Sequence, residues 1–427
     1  MDDVAKGDVW PRPTRPQPIG AFPLPAGFLL IPGGEDTEPV RAELVRGRLP
    51  RQWPQRLRAH ELALAGDHDG ALAALVGDDP ITAYNRFVMD PDRENPDELR
   101  ARLGEFGVLV DLVQFAIGRA DEPPALGDTD GELAALVLSA QATSAVSAGD
   151  GAVSGDAALA LKLLDQAVNL TRAVAPPLAG VLLGAAAGIR RDSEGAGPKV
   201  IQELEQALGL LSGTDLRIGQ AELHLSEALT LHELAGDRAD LLGAAVRHYQ
   251  AALQLVTSRE APELWAAAHA SLATAYLTMP MAQASDQLRL GVAVQSLRNA
   301  LKIYTRERYP QEWASTQLNL ANALVYAPSK HQGDNLVEAV ELYEAVLAVR
   351  DRDSDPLGRA RVLANQGNVL AHLGMFEHAT AKLHEARAIF EEFTDIESVQ
   401  AVRGVLDEIA RQQAREQEPT RTESERS

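Results

Sequence analysis

The amino-acid sequence predicts an all-α chain in which amphipathic helices pack as consecutive antiparallel pairs. Three observations carry that prediction. Apolar residues recur at helical spacing from about residue 130 to 413, short Gly/Asp/Pro breaks interrupt them, and a two-helix unit repeats along the chain. Composition agrees. Of the 427 residues, 45% are hydrophobic but only 4% are aromatic, so the core is built from Ala, Leu and Val. Ala and Leu are strong helix formers, and Ala lets helices approach closely.

The elements follow in chain order. Residues 1–50 carry Trp10-Pro11-Arg12-Pro13-Thr14-Arg15-Pro16, then Pro18, Pro23 and Pro25. Proline fixes φ and lacks an N–H, so this segment is expected to be extended and free of helix. Its stretch Phe28-Leu29-Leu30-Ile31 is too apolar for a free tail and is expected to dock, on the protein itself ahead of a partner. Residues 51–124 show helical patterns at 57–64, 70–76 and 98–117 without a clear repeat, and read as a cap region closed by Glu122-Pro123-Pro124.

From 125 to 413 the chain reads as a helical repeat array. First helices are expected at 130–148, 176–192, 215–235, 262–279, 310–327 and 356–373. Their partners are expected at 155–174, 198–212, 238–259, 287–308, 335–350 and 376–393. Pro262, Pro310 and Pro356 fall at first-turn positions, and Asp130, Asp156, Asp215 and Asp334 stand where N-caps belong. A last helix from Ile396 to about Gln413 covers the end of the stack, and residues 414–427 read as a charged, disordered tail.

The repeat is visible residue by residue. Pro262-Glu263-Leu264-Trp265 returns as Pro310-Gln311-Glu312-Trp313, 48 residues on, and Leu272-Ala273-Thr274-Ala275 returns at the same offset as Leu320-Ala321-Asn322-Ala323. In the second helices, Ala293-Val294 and Leu297 answer to Ala339-Val340 and Tyr343, 46 residues on. The unit at 361–390 is the clearest, with Leu363, Gly367, Leu370, Gly374, Phe376, Ala379, Leu383 and Ala386. This pattern resembles the tetratricopeptide repeat, in which a small residue of the first helix packs against one of the second; Gly367 and Ala379 have that family's spacing of 12. The other units carry lengthened loops at Met279–Asp286 and Pro328–Asp334. The phrase Tyr309-Pro310-Gln311-Glu312-Trp313-Ala314 with Asn319-Leu320-Ala321-Asn322 is similar to repeats of large bacterial signalling and regulatory proteins. The resemblance implies a right-handed α-solenoid of antiparallel pairs.

Composition and motifs narrow the chemistry. The chain has no cysteine, which removes disulfides, thiolate metal sites and a cysteine nucleophile. A formal charge of −21 disfavours nucleic acid and anionic membranes. Met1-Asp2-Asp3 opens no secretory signal, and the longest apolar run, Leu178 to Ile189, is too short to span a bilayer, so a cytoplasmic location without membrane insertion is expected. Asp351-Arg352-Asp353-Ser354-Asp355 opens like a calcium loop, but Pro356 and Val362 occupy the positions of its Gly and Glu. Gly195-Ala196-Gly197-Pro198-Lys199 follows a helix instead of a strand, and its proline donates no amide to a phosphate. His372, His378 and His384 are six residues apart, a step that does not share a helix face. No catalytic group, metal or cofactor is expected.

The resemblance also implies where a partner sits. First helices line the concave groove of such stacks. Positions two before and one after the small residue point into it: Asn365 and Asn368, Asn319 and Asn322, Ser271 and Thr274, His224 and Glu227, going back along the chain. Arg361 and Gln220 lie about one turn earlier on the same faces. An Asn amide offers both donor and acceptor, so a row of them can hold an extended peptide backbone whatever its side chains. Leu318 and Ala364 stand where a carboxylate clamp needs Lys, which disfavours capture of a C-terminal carboxylate. The expected role is an adaptor or scaffold for a protein or peptide partner with a basic or neutral segment. Two alternatives stay open. One is a regulatory sensor for a peptide or small ligand; the other is an accessory factor in assembling a larger bacterial enzyme, such as a hydrogenase-type metalloenzyme.

Overall fold

A computed structural model describes residues 10–147, 155–279, 286–327 and 332–417. These residues are all-helical, with no strand among them. No helix among them is long and apolar enough to cross a membrane. The chain forms two compact units, residues 1–236 and 237–427.

In the first unit, six short helices precede the array: α1 (Glu38–Val45), α2 (Arg58–Leu64), α3 (His68–Ala74), α4 (Pro80–Met89), α5 (Pro96–Leu103) and α6 (Val108–Ala116). Five longer ones follow: α7 (Gly131–Ser147), α8 (Ala157–Thr171), α9 (Pro176–Glu194), α10 (Pro198–Leu211) and α11 (Arg217–Ala235). The longer helices pack as neighbours in sequence, α7 on α8, α9 on α10 and α10 on α11. One apolar core joins the N-terminal segment to all of them, from Ile19, Leu29, Leu30 and Ile31 through Tyr84, Phe87 and Phe106 to Leu178 and Leu211. Packing therefore runs across Glu122-Pro123-Pro124 without a break, and the compact units meet at Gly236–Asp237, inside the stretch that reads as one array.

The N-terminal segment lies against its own unit. Asn85 on α4 accepts from the Leu30 N–H at 2.8 Å and donates to the Leu30 carbonyl at 2.9 Å, filling both backbone groups of a buried residue. His60 Nε2 meets the same carbonyl at 3.0 Å. Arg15 pairs with Glu132 at 3.0 Å and with Asp130, pinning the proline-rich stretch to the start of α7. The segment is not extended throughout: α1 forms within it, started by Pro39 in its first turn and burying Val40 and Leu44.

The second unit holds α12 (Ala239–Leu255), α13 (Pro262–Thr278), α14 (Asp286–Ala300), α15 (Pro310–Tyr326), α16 (Gln332–Leu347), α17 (Pro356–His372), α18 (Phe376–Glu392) and α19 (Ile396–Gln417). The pairs α13/α14, α15/α16 and α17/α18 pack in succession. Each first helix opens on its proline, and all three are 17 residues long. The small residues that mark the repeat meet inside: Ala273, Ala293, Ala321, Ala339 and Ala379 are fully buried. Leu297, Tyr343 and Leu383 sit behind them at equivalent positions of the second helices, also buried.

Several helix ends differ from expectation. The stretch expected as helix over 238–259 stops at Leu255, where Thr257 turns its N–H and hydroxyl to Glu260, at 3.2 and 2.8 Å. Thr and Ser compete with the helix in this way. The helix expected to 308 stops at Ala300, because the next residues curl and bury Tyr304 in a small cluster with Ala266 and Ala300. Among the expected caps, Asp156 does accept from the Leu159 N–H at 2.8 Å. Asp215 does not cap α11; it accepts from the Leu49 N–H at 2.7 Å and ties the N-terminal segment down. Asp334 lies inside the first turn of α16. The acidic run 351–355 ends in an N-cap instead, Asp355 accepting from the Gly358 N–H at 2.9 Å. Helix α19 runs to Gln417, past the expected end; the rest of the tail and most of the two lengthened loops lie outside the described residues.

Candidate functional site

Helices α13, α15 and α17 are the first helices of successive pairs, and the 3.6-residue turn puts residues three apart on one face. Asn319 and Asn322 on α15, and Asn365 and Asn368 on α17, satisfy that spacing. The structure brings all four, with Thr274 of α13, onto the wall of one cavity of about 360 Å³. Leu277, Val325, Tyr326 and Val369 supply its apolar surface. Among the described residues that line it, none is charged.

The polar groups are wired to one another. Asn319 Nδ2 donates to Thr274 Oγ1 at 3.4 Å, and Asn365 Nδ2 donates to Asn322 Oδ1 at 3.1 Å. These are the same two repeat positions, one after the small residue in one helix and two before it in the next. Thr274 turns its own proton to the Ala270 carbonyl at 3.0 Å. From behind, Tyr343 of α16 donates to Asn322 Oδ1 at 2.7 Å. The residue is only 1% exposed, and burial pushes its phenol well above the usual range, so it stays a protonated donor. Tyr343 is the site residue that pattern reading leaves out. Its signal is nonetheless in the repeat, where Leu297 and Leu383 occupy the equivalent places.

A second cavity of about 270 Å³ adjoins the far side of α17, between it and α19, with Asn368, His372, Glu408 and Gln412 among its polar lining. Asn368 faces both.

The remaining candidate residues are elsewhere. Arg361 is exposed on α17 and lines neither cavity, and Ser271 is half-buried on α13. Gln220, His224 and Glu227 belong to α11, in the first unit. Gln220 donates to the Thr214 carbonyl and hydroxyl, both at 3.2 Å, across the turn into its own helix. His224 is half-buried, and desolvation lowers its pKa. Glu227 is the clear departure from a groove position: it is 3% exposed, and burial together with the nearby Glu205 carboxylate raises its pKa to about 7. The count of residues that places Asn319, Asn322, Asn365 and Asn368 on the cavity wall reaches a buried side chain at Glu227.

A cavity of about 340 Å³ in the first unit is lined by Arg56, His60, Asp79 and Asn85, but these groups serve the fold. Asp79 caps α4, Arg56 pairs with Asp36 at 2.9 Å, and Asn85 holds Leu30.

No protein-family model matches the chain, and a search of curated proteins gave no match.

Proposed function

We propose that the second unit is a peptide-binding module of tetratricopeptide type, and that the protein is an adaptor or scaffold holding an extended segment of a protein partner along α13, α15 and α17. The row of carboxamides on one cavity wall carries this reading, because such groups meet both backbone N–H and C=O without regard to side chain. The same chemistry already operates inside the molecule, where the Asn85 amide holds both backbone groups of Leu30. The excess of acidic residues favours a basic or neutral segment over nucleic acid. A second reading, a sensor for a small neutral ligand, is favoured by the cavity's size, which lies within the usual range of about 300–1,000 Å³ for such sites.

Affinity purification with the wild-type chain and with Asn322→Ala/Asn368→Ala tests the first reading. The wild type should retain a partner polypeptide that the double variant loses. Equal capture by both would sink the groove. The sensor reading instead predicts a rise in melting temperature with small molecules alone.

A further inference from the structure

Resting on the peptide-binding reading, we propose that the groove selects an uncharged extended segment and reads one edge of its backbone in a fixed order, N–H, C=O, N–H, with Tyr343 as the positioning residue that sets this order.

The order follows from which hydrogen-bonding capacity is already used. An amide oxygen has two lone pairs, and Asn322 Oδ1 receives both the Tyr343 hydroxyl at 2.7 Å and Asn365 Nδ2 at 3.1 Å. The Asn322 side chain is thereby oriented and offers the groove its N–H donors. Asn365 gives Asn322 one of its two amide N–H groups and keeps the second, together with its oxygen. Asn319 gives one N–H to Thr274 at 3.4 Å and likewise keeps its second N–H and its oxygen. In the row Asn319, Asn322, Asn365 the middle amide is thus left to donate, while the amide on either side of it can still accept. Along one edge of an extended chain, a residue shows its N–H and then its C=O, and the next group on that edge is the N–H two residues on. A ligand carbonyl held by Asn322 therefore has an N–H on either side of it along that edge, and the oxygens of Asn319 and Asn365 are there to accept them.

Tyr343 is set apart by its place in the repeat. Leu297 and Leu383 fill the equivalent positions and are equally buried, so packing does not call for a tyrosine there. What the tyrosine adds is one hydroxyl, and that hydroxyl reaches the groove amide.

Charge selection has a separate basis. Among the described residues lining the cavity there is no charge to compensate a lysine, arginine or carboxylate side chain that loses its water there. Leu277, Val325 and the 70% exposed Tyr326 offer an apolar side chain a seat in the same cavity.

The test is fluorescence anisotropy on the full chain with labelled, end-capped octapeptides drawn from a library of Ala, Ser, Thr, Gln, Val and Leu. A binder from that library is remade with Lys or Glu at its centre, and with single N-methyl groups along its backbone. Either charge should weaken binding at least about tenfold. N-methylation should do the same at two positions two residues apart and leave the position between them unaffected. Asn322→Asp keeps the acceptor for Tyr343 and Asn365 but has no N–H; it should lose about tenfold or more. Asn365→Ala, which leaves Tyr343 its acceptor, should abolish one of the two N-methyl sensitivities. Tyr343→Phe keeps the ring but lets Asn322 turn over, so the contrast between sensitive and insensitive positions should shrink. Peptide binding that ignores charge, tolerates N-methylation everywhere or survives Asn322→Asp overturns this inference and leaves the groove reading standing. No binding by any library peptide overturns both.

Discussion

At Gly367 the repeat leaves no space for a side chain: a Cβ there would lie 2.7 Å from Leu383 Cγ and 3.2 Å from the Ala379 carbonyl. Gly367→Ala gains helix propensity, roughly 1 kcal/mol. Overpacking α17 against α18 opposes it, and overpacking costs about 1–3 kcal/mol. The net effect should be a lower urea midpoint. Glu227 makes a pH prediction. Its folded pKa of about 7 lies above the unfolded carboxylate value, so between about pH 4.5 and 7 the folded state binds more protons. Stability from this group is full below that window and is lost as pH rises through it. The advantage of Glu227→Gln over the wild type should therefore grow from pH 5 to pH 8, checked by urea unfolding at both; a pH-independent difference would contradict it. Single residues were legible where the repeat repeats them. Asn319, Asn322, Asn365 and Asn368 could be named from their distance to Ala321 and Gly367, but not their bonds, because those run between helices more than forty residues apart. The same count names Glu227 on α11, where the side chain is buried, and burial is set by packing that the count does not contain.

At the scale of elements, proline made the helix starts readable. Pro262, Pro310 and Pro356 open α13, α15 and α17, since a first-turn residue needs no N–H partner. Helix ends were less readable, because tertiary contacts decide them: burial of Tyr304, not local propensity, ends α14. The N-terminal segment shows the same limit, since its apolar stretch announced docking but not its partner Asn85. Asn85→Ala removes both of its bonds to Leu30 and leaves the buried Leu30 N–H without that acceptor, at a cost of roughly 1–3 kcal/mol. Limited proteolysis should then cut within residues 10–32 well before the rest of the chain. Wild-type resistance in the variant would show that Asn85 does not hold the segment.

At the scale of the molecule, the pattern of paired helices runs through Gly236 without a mark, so the sequence shows one array where packing makes two compact units. Each unit has its own apolar core among the described residues. Stability in helical repeats is carried by nearest neighbours, so damage stays local. Asn85→Ala should shift only the unfolding transition of the first unit and Gly367→Ala only that of the second, followed by hydrogen exchange resolved along the chain. Equal shifts throughout would mean a single cooperative body. The central claim is that an extended peptide lies along α13, α15 and α17. Its most direct test is photo-crosslinking of a library-selected neutral octapeptide to chains carrying p-benzoylphenylalanine in place of Tyr326, in the groove, or of Leu159, on the first unit. The account predicts crosslinking at Tyr326 that excess unlabelled peptide competes away and that Asn322→Ala/Asn368→Ala removes. Crosslinking at Leu159 to the same extent, or at Tyr326 unchanged by the double substitution, would contradict it.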